Sequence, residues 1–307
     1  MALRRTEQRH PEAGGIDLLP DEGVLALLAA AQLDAAASVR GALEPLARAA
    51  RLAAETIEKG GRIAYAAAGS SGLMALADAL ELPGTFGIAP ERIVVLIAGG
   101  AAALHTLAGA PEDDLDEARR AVREAGLGPA DCLIAVTASG STPYALAALE
   151  EARARTVRTV AIANNAGTPV LELADIPVVL ATPPEIVAGS TRMGAGTAQK
   201  IALNMLSTLM AVRLGHVHDG FMVNLQPDNH KLKARAVRIV ATIAGCGEAE
   251  AGTLLDRAGG SVKTATLLAA GAASRAAAEA LLRDAGWHLR PALSTLQGAA
   301  RARKHIP

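Results

Sequence analysis

Apolar and polar positions follow two different rhythms along the chain. Residues 21 to about 58 are rich in Ala and Leu at helical spacing, broken near Gly41 and Pro45, which predicts two helices. Ahead of them, residues 1–20 are polar and turn-rich, with Pro11, Gly14, Gly15 and Pro20, and predict an irregular arm laid over a surface. The rhythm then shortens. Residues 62–67 read as a strand, 69–72 (GSSG) as a loop, 73–82 as a helix and 92–98 as a second strand closed by Gly99 and Gly100, together one βαβ unit. The same grammar returns over 131–153, where the strand DCLIAVT runs into the loop ASGST and the helix PYALAALEEAR, with Pro143 suited to the first helical position. Strands at 159–163 and 177–180 follow, then the loop VAGSTRMGAG and an apolar helix around 197–212. After Pro227 the pattern is purely helical, punctuated by Gly245, Gly259, Gly260, Gly271 and Gly286.

Strands alternating with helices imply an α/β fold, a doubly wound parallel sheet with N-terminal helices and a small C-terminal helical domain. The expected division is 1–58 for the arm and the helices packing on the sheet, 59–232 for the sheet domain and 233–307 for the helical domain, which covers the sheet or holds a dimer. Ligands of such sheets sit at the carboxyl ends of the strands, where the three Ser/Thr/Gly loops fall.

Composition narrows the function. The chain has 307 residues, enough for about two domains. It is 51% hydrophobic but only 2% aromatic, so Ala, Leu and Val must fill the core, which suits helices packed closely on a sheet. A net charge of -1 with scattered basic residues leaves no footprint for nucleic acid. Cys132 and Cys246 form no disulfide framework or metal spacing and point to a reducing cytoplasm. No apolar core follows the first arginines, and no uncharged apolar run reaches the roughly 18 residues of a membrane span, so a soluble cytoplasmic protein without membrane partners is expected. His216 and His218 stand at i and i+2 in a loop-like GHVHDG without a third ligand in view, and no metal site is expected there.

The loops carry the chemistry. A strand turning into a helix presents unpaired amides to an anion, and hydroxyls extend that cradle. Ser70, Ser71, Ser139, Ser141 and Thr142 are therefore candidate phosphate donors. For one loop alone, simple helix capping would be the better reading. Two loops of one design in matching places of one sheet favour a phosphate site. GSSG lacks the dinucleotide spacing, and no G-x-x-x-x-G-K-[ST] occurs, so a sugar phosphate fits better than ATP.

AGSSG and TASGST resemble the two phosphate loops of the sugar isomerase (SIS) domain. More narrowly, the chain resembles the N-acetylmuramic acid 6-phosphate etherase family along nearly its whole length, through TEQRHPEAGGID, GGRIAYAAAGSSG, DALELPGTFG, LIAGG, APEDD, ASGSTPY, GSTRMGAGTAQKIALNMLST and DNHKL. Glucokinase regulatory protein belongs to the same broader family and senses sugar phosphates without turning them over.

The resemblance implies cleavage of the substrate's lactyl ether to N-acetylglucosamine 6-phosphate and D-lactate, with no metal or organic cofactor. Ring opening exposes a C1 aldehyde that acidifies the C2 proton. One carboxylate removes that proton, a carboxylic acid protonates the departing ether oxygen, and water adds back at C3. By motif position the catalytic pair falls on Glu81 and Glu112. Glu81 is expected to close an apolar helix before Pro83, where partial burial raises its pKa. Glu112 opens the acid run EDDLDE, where a solvated helix start is the plain structural reading. The implied substrate-binding set is Gly69, Ser70, Ser71, Gly72, Ser139, Gly140, Ser141, Thr142, Ser190 and Lys231. Asn229 lies in the same matched segment as Lys231, where a solvated helix start is the equal alternative, and Arg192 is a candidate either for the substrate's carboxylate or phosphate or for simple pairing with an acid. Leu73, Ser141 and Gly194 stand where the family commonly carries Arg, Arg and Lys, and Ala101 where it carries Glu. The carboxylate pair is kept, so elimination chemistry is expected with altered recognition of the substrate's anionic groups. A homodimer is expected, since SIS folds commonly complete their site with a neighbouring subunit. A phosphosugar isomerase and a non-catalytic phosphosugar-sensing regulator are the alternatives.

Overall fold

The continuous apolar runs become the central strands. In the computed structural model, which describes residues 3–304, β1 (Ile63–Ala67), β2 (Ile93–Ile97), β3 (Cys132–Thr137), β4 (Arg158–Ala163) and β5 (Ile176–Val179) form one parallel sheet in the order β2-β1-β3-β4-β5. Every residue of β1 and β3 is buried, as both-sided cover requires. Of the two helices before the sheet, α1 (Asp21–Ser38) and α2 (Leu43–Glu58), α2 packs against β1, β3 and β5. A second core holds Ala64, Ala66, Leu133 and Ala135 from the sheet against α4 (Leu115–Glu124), α5 (Pro143–Ala154) and α6 (Pro169–Leu173). The alanines of β1 and α5 allow that close approach, so few aromatics are needed. Cys132 is buried in β3, and burial pushes its thiol up to about 12.

Contacts divide the chain into two compact units, Met1–Leu80 with Glu91–Leu209, and Glu81–Pro90 with Met210–Pro307. The helical unit contains α8 (His230–Ala244), α9 (Glu248–Arg257), α10 (Val262–Ala269), α11 (Arg275–Asp284) and α12 (Leu289–Lys304). Its core also takes in Val223 and Leu225, upstream of the change in composition near residue 233. Lys263 is buried there and donates to the Trp287 carbonyl at 2.9 Å, and burial lowers its ammonium to about 8.

Three local expectations are corrected. GSSG is not a loop but the first turn of α3 (Gly69–Phe86), where amides need no partner four residues back and Gly and Ser are tolerated. Pro83 does not end that helix. Its ring costs one hydrogen bond, and the following turn is held by Gly87 N on the Pro83 carbonyl at 2.9 Å and by Asn224 Nδ2 on the Phe86 carbonyl at 3.0 Å. GHVHDG (215–220), read as loop-like, instead enters a hairpin of β6 (Val217–His218) and β7 (Phe221–Met222), with Asp219 and Gly220 at φ +45° and +80° as a two-residue turn demands. The stretch Asp21–Glu58 is long and apolar enough to cross a membrane by length and composition alone. It is, as expected, two helices, separated by the turn Val39–Ala42, and α2 buries Leu46, Ala49, Ala50 and Ala53.

The N-terminal arm is a chain of three short 3₁₀ turns, Arg5–Glu7, Pro11–Ala13 and Ile16–Leu18. Thr6 anchors it. The side chain is buried, its Oγ1 accepts from Asn165 Nδ2 at 3.1 Å, and its carbonyl accepts from Gly189 N at 3.2 Å.

Candidate active site

In a sheet ordered β2-β1-β3-β4-β5 the winding direction reverses between β1 and β3, and the crevice outside their carboxyl ends is where such a sheet takes a ligand. Ala67 pairs with Val136 across that point, so the chain leaving β1 and the chain leaving β3 lie side by side. The first gives Gly69–Gly72 and α3; the second gives Ala138–Thr142 and α5.

The β3 loop is organised by its own hydroxyls. Thr137 Oγ1 and Thr142 Oγ1 lie 2.7 Å apart, Ser139 Oγ is 3.3 Å from each, Gly140 N donates to Thr137 Oγ1 at 3.3 Å and Ser141 N to Ser139 Oγ at 3.2 Å. Thr142 occupies the N-cap position of α5 without making a side-chain cap, so the plain capping reading does not describe it. Gly140 has φ +75°, and a Cβ there would run into the side chain of Thr168, so the loop closes only with glycine.

The β1 side is different in kind. Ser70 is half-buried and Ser71 buried. Gly72 is a packing glycine, its missing Cβ lying 2.9 Å from Ile97 Cγ1. Gly69 admits a carboxylate: it has φ +54°, and a Cβ on it would lie 2.5 Å from Glu112 Oε1. Glu112 sits not at the start of α4 but on the separate 3₁₀ turn Ala110–Asp113, while Asp114 caps α4 by accepting from Glu117 N at 2.8 Å. The acid run thus divides its labour, and Glu112 is left facing the first turn of α3. Burial, and then the neighbouring Asp113 charge, raise its pKa above the ordinary carboxylate range.

The remaining candidates are placed as follows. Glu81 is exposed on α3 rather than partly buried, because the helix continues past it through Pro83 and turns this position outward. Ser190 is half-buried on the turn before α7 (Gly194–Arg213), and Arg192 is exposed. In the helical unit, Asn229 caps α8 by accepting from Leu232 N at 2.9 Å, and Lys231 is exposed on its first turn. His216 is pulled down to about 4 by burial and then by the Lys263 charge, its Nδ1 buried without a partner; among the described residues no group of His, Cys, Asp or Glu is arranged to hold a metal. That unit has its own cavity of about 550 Å³, lined by Val223–Asp228 and Gly259–Val262 among others.

Several residues around the site were not read from the sequence. Glu185 is buried and accepts from Gly194 N at 2.9 Å and Ala195 N at 2.8 Å, so the amides opening α7 already have an anion. Asp78 is buried in α3 and accepts from Tyr65 Oη at 3.0 Å, Asn204 Nδ2 at 2.8 Å and Ser207 Oγ at 2.8 Å, tying α3 to β1 and α7. Asn165 joins the arm to the β3 loop, accepting from Arg5 N at 2.9 Å and donating to the Ala138 carbonyl at 2.9 Å. Thr137 alone carried a signal, as the polar residue ending an apolar strand directly before the loop.

Residues 30–164 and 119–213 match models of the SIS domain. The chain is 45% identical over 291 residues to an N-acetylmuramic acid 6-phosphate etherase of Deinococcus radiodurans, covering 94% of this chain and 95% of that protein. It is 39% identical to the protein of that name from Streptomyces avermitilis (94% and 93% covered) and 39% to that from Burkholderia lata (97% and 98%). Among solved structures, a phosphoheptose isomerase from Francisella tularensis superposes with a TM-score of 0.50 at 20% identity, over 63% of this chain and all of that one, a likeness of fold.

Proposed function

The chain belongs to the N-acetylmuramic acid 6-phosphate etherase family, and on that premise we propose that the crevice at the ends of β1 and β3 cleaves the lactyl ether of N-acetylmuramic acid 6-phosphate, with Glu112 as the base. The observation that carries this assignment is the Glu112 carboxylate against Gly69, at the first turn of α3. The hydroxyls of Ser70, Ser71, Ser139, Ser141 and Thr142, with the free amides of α3 and α5, hold the phosphate. Ser190 and Lys231 complete the substrate contacts by the family resemblance. In the ring-opened sugar the C1 aldehyde acidifies C2–H, and Glu112 takes that proton. The C2–H electron pair becomes the C2–C3 double bond, the C3–O bond breaks, and Glu81 supplies the proton with which lactate leaves. Water then adds at C3: its hydroxyl goes to that carbon, its one remaining proton restores the acid, and the proton held on Glu112 returns to C2. A base needs a pKa near the working pH, and burial moves Glu112 in that direction. The acid role of Glu81 rests on its motif position alone.

A homodimer and a cytoplasmic setting belong to the same proposal. Leu18, Leu25, Leu33 and Leu43 are 84%, 64%, 72% and 54% exposed on and around α1, an apolar surface that a second copy would cover. Two free cysteines fit a reducing compartment. Residues 59–232 would carry the phosphosugar chemistry and 233–307 the helical support. The test is incubation of the purified protein with N-acetylmuramic acid 6-phosphate and measurement of D-lactate. Release is expected. A ketose product in its place would make the protein an isomerase, and binding without turnover a sensor.

A further inference from the structure

The hydroxyls and amides of the β3 loop are neutral, and neither Gly69–Gly72 nor Ser139–Thr142 contains Lys or Arg. A cation nevertheless stands there. Arg4 Nη1 donates to Ser141 Oγ, reaching the loop from the N-terminal arm. Arg4 is half-buried, and among the described residues it makes no salt bridge, so its charge rests on a neutral hydroxyl. Withdrawing a guanidinium from water without a counter-charge is unfavourable, and an arriving dianion would remove that cost while gaining charge-assisted hydrogen bonds.

The arm is held for this purpose by contacts that do not involve Arg4. Asn165 Oδ1 accepts from the backbone amides of Arg5 and Thr6, at 2.9 and 3.4 Å, and Asn165 Nδ2 donates both to Thr6 Oγ1 and to the Ala138 carbonyl that opens the loop. A cavity of about 390 Å³ is lined by Arg4, Arg5, Asn165 and Thr168 among others, so open space adjoins the arm where it docks. We propose that Arg4 is the cation of the phosphate subsite, so that selection of a phosphorylated sugar depends on the docked arm as well as on the two loops. The inference rests on the phosphosugar reading of this site and adds to it a residue outside the sheet.

The test compares Arg4→Ala, Arg4→Lys and the double variant Arg4→Ala/Ser141→Arg. KM and kcat are read from lactate release, the Kd of N-acetylglucosamine 6-phosphate from calorimetry, and folding from thermal melts. Arg4→Ala is expected to raise both Kd and KM about tenfold or more, with kcat falling far less. Arg4→Lys should recover part of the affinity, and Ser141→Arg should restore it by placing the charge in the loop itself. An unchanged Kd in Arg4→Ala overturns the proposal, as does a loss that neither cation restores, which would make Arg4 a strut of the arm. A wild-type chain that binds the sugar phosphate through Arg4 but releases no lactate would refute the etherase reading alone and leave the role of Arg4 standing.

Discussion

Gly69→Ala probes the approach of Glu112 to α3 with one methyl group. Two costs follow from the geometry. Gly69 has φ +54°, and an L residue held in that region loses roughly 1–2 kcal/mol. The new Cβ would also lie 2.5 Å from Glu112 Oε1, where ordinary contact begins at 3.4 Å. The carboxylate must therefore retreat by about 1 Å, a displacement of a reacting group that costs on the order of a hundredfold in rate. The variant should fold with a lower melting temperature and show a kcat for lactate release down by about that factor. Steady-state D-lactate assays and thermal unfolding, run on the same preparation, separate the two effects. A Gly69→Ala protein that is destabilised yet retains wild-type kcat would show that the position of Glu112 does not govern the chemistry.

Burial and then Asp113 raise the Glu112 pKa, so if Glu112 is the base, kcat/KM should rise with pH along a limb displaced upward from that of an ordinary carboxylate. Asp113→Asn removes one of the two causes and should move this limb to lower pH; a shift upward, or none, would contradict the assignment. Asp78→Ala leaves the buried donors on Tyr65, Asn204 and Ser207 without their acceptor, at roughly 1–3 kcal/mol for each donor that finds no other, and the urea midpoint should fall accordingly. Leu25→Glu with Leu33→Glu should convert a dimer to a monomer in sedimentation, whereas a monomeric wild type would contradict the self-association read from α1.

The sheet was legible because strands buried on both faces read as unbroken apolar runs; IAYAA and CLIAVT have no polar face to confuse the period. The ends of helices were less so. Gly and Ser in GSSG signal a loop by propensity, but the first turn of a helix leaves its amides unpaired, and propensity has little hold there. Pro83 signals a stop, yet Asn224 supports the next turn from 138 residues away in sequence, a contact no local pattern reveals. Gly69–Gly72 and Ser139–Thr142 stood out in the sequence by their Gly, Ser and Thr content, and the structure sets them side by side at the ends of β1 and β3, the first as a helical turn and the second as a loop. Glu112 looked like one carboxylate in a run of acids until the backbone set it on its own turn. Arg4 was invisible for the same reason as Asn165: its role depends on the arm crossing the end of β4, which only the folded chain brings about.

The most direct test of the account is exchange of the C2 proton with deuterated water, followed by mass spectrometry or NMR during turnover of N-acetylmuramic acid 6-phosphate. If Glu112 is the base, Glu112→Gln abolishes both exchange and lactate release. Glu81→Gln, which keeps the base and removes the acid, loses lactate release but continues to exchange. Exchange that persists in a folded Glu112→Gln protein would contradict the central claim, because the C2 proton would then be leaving to some other group.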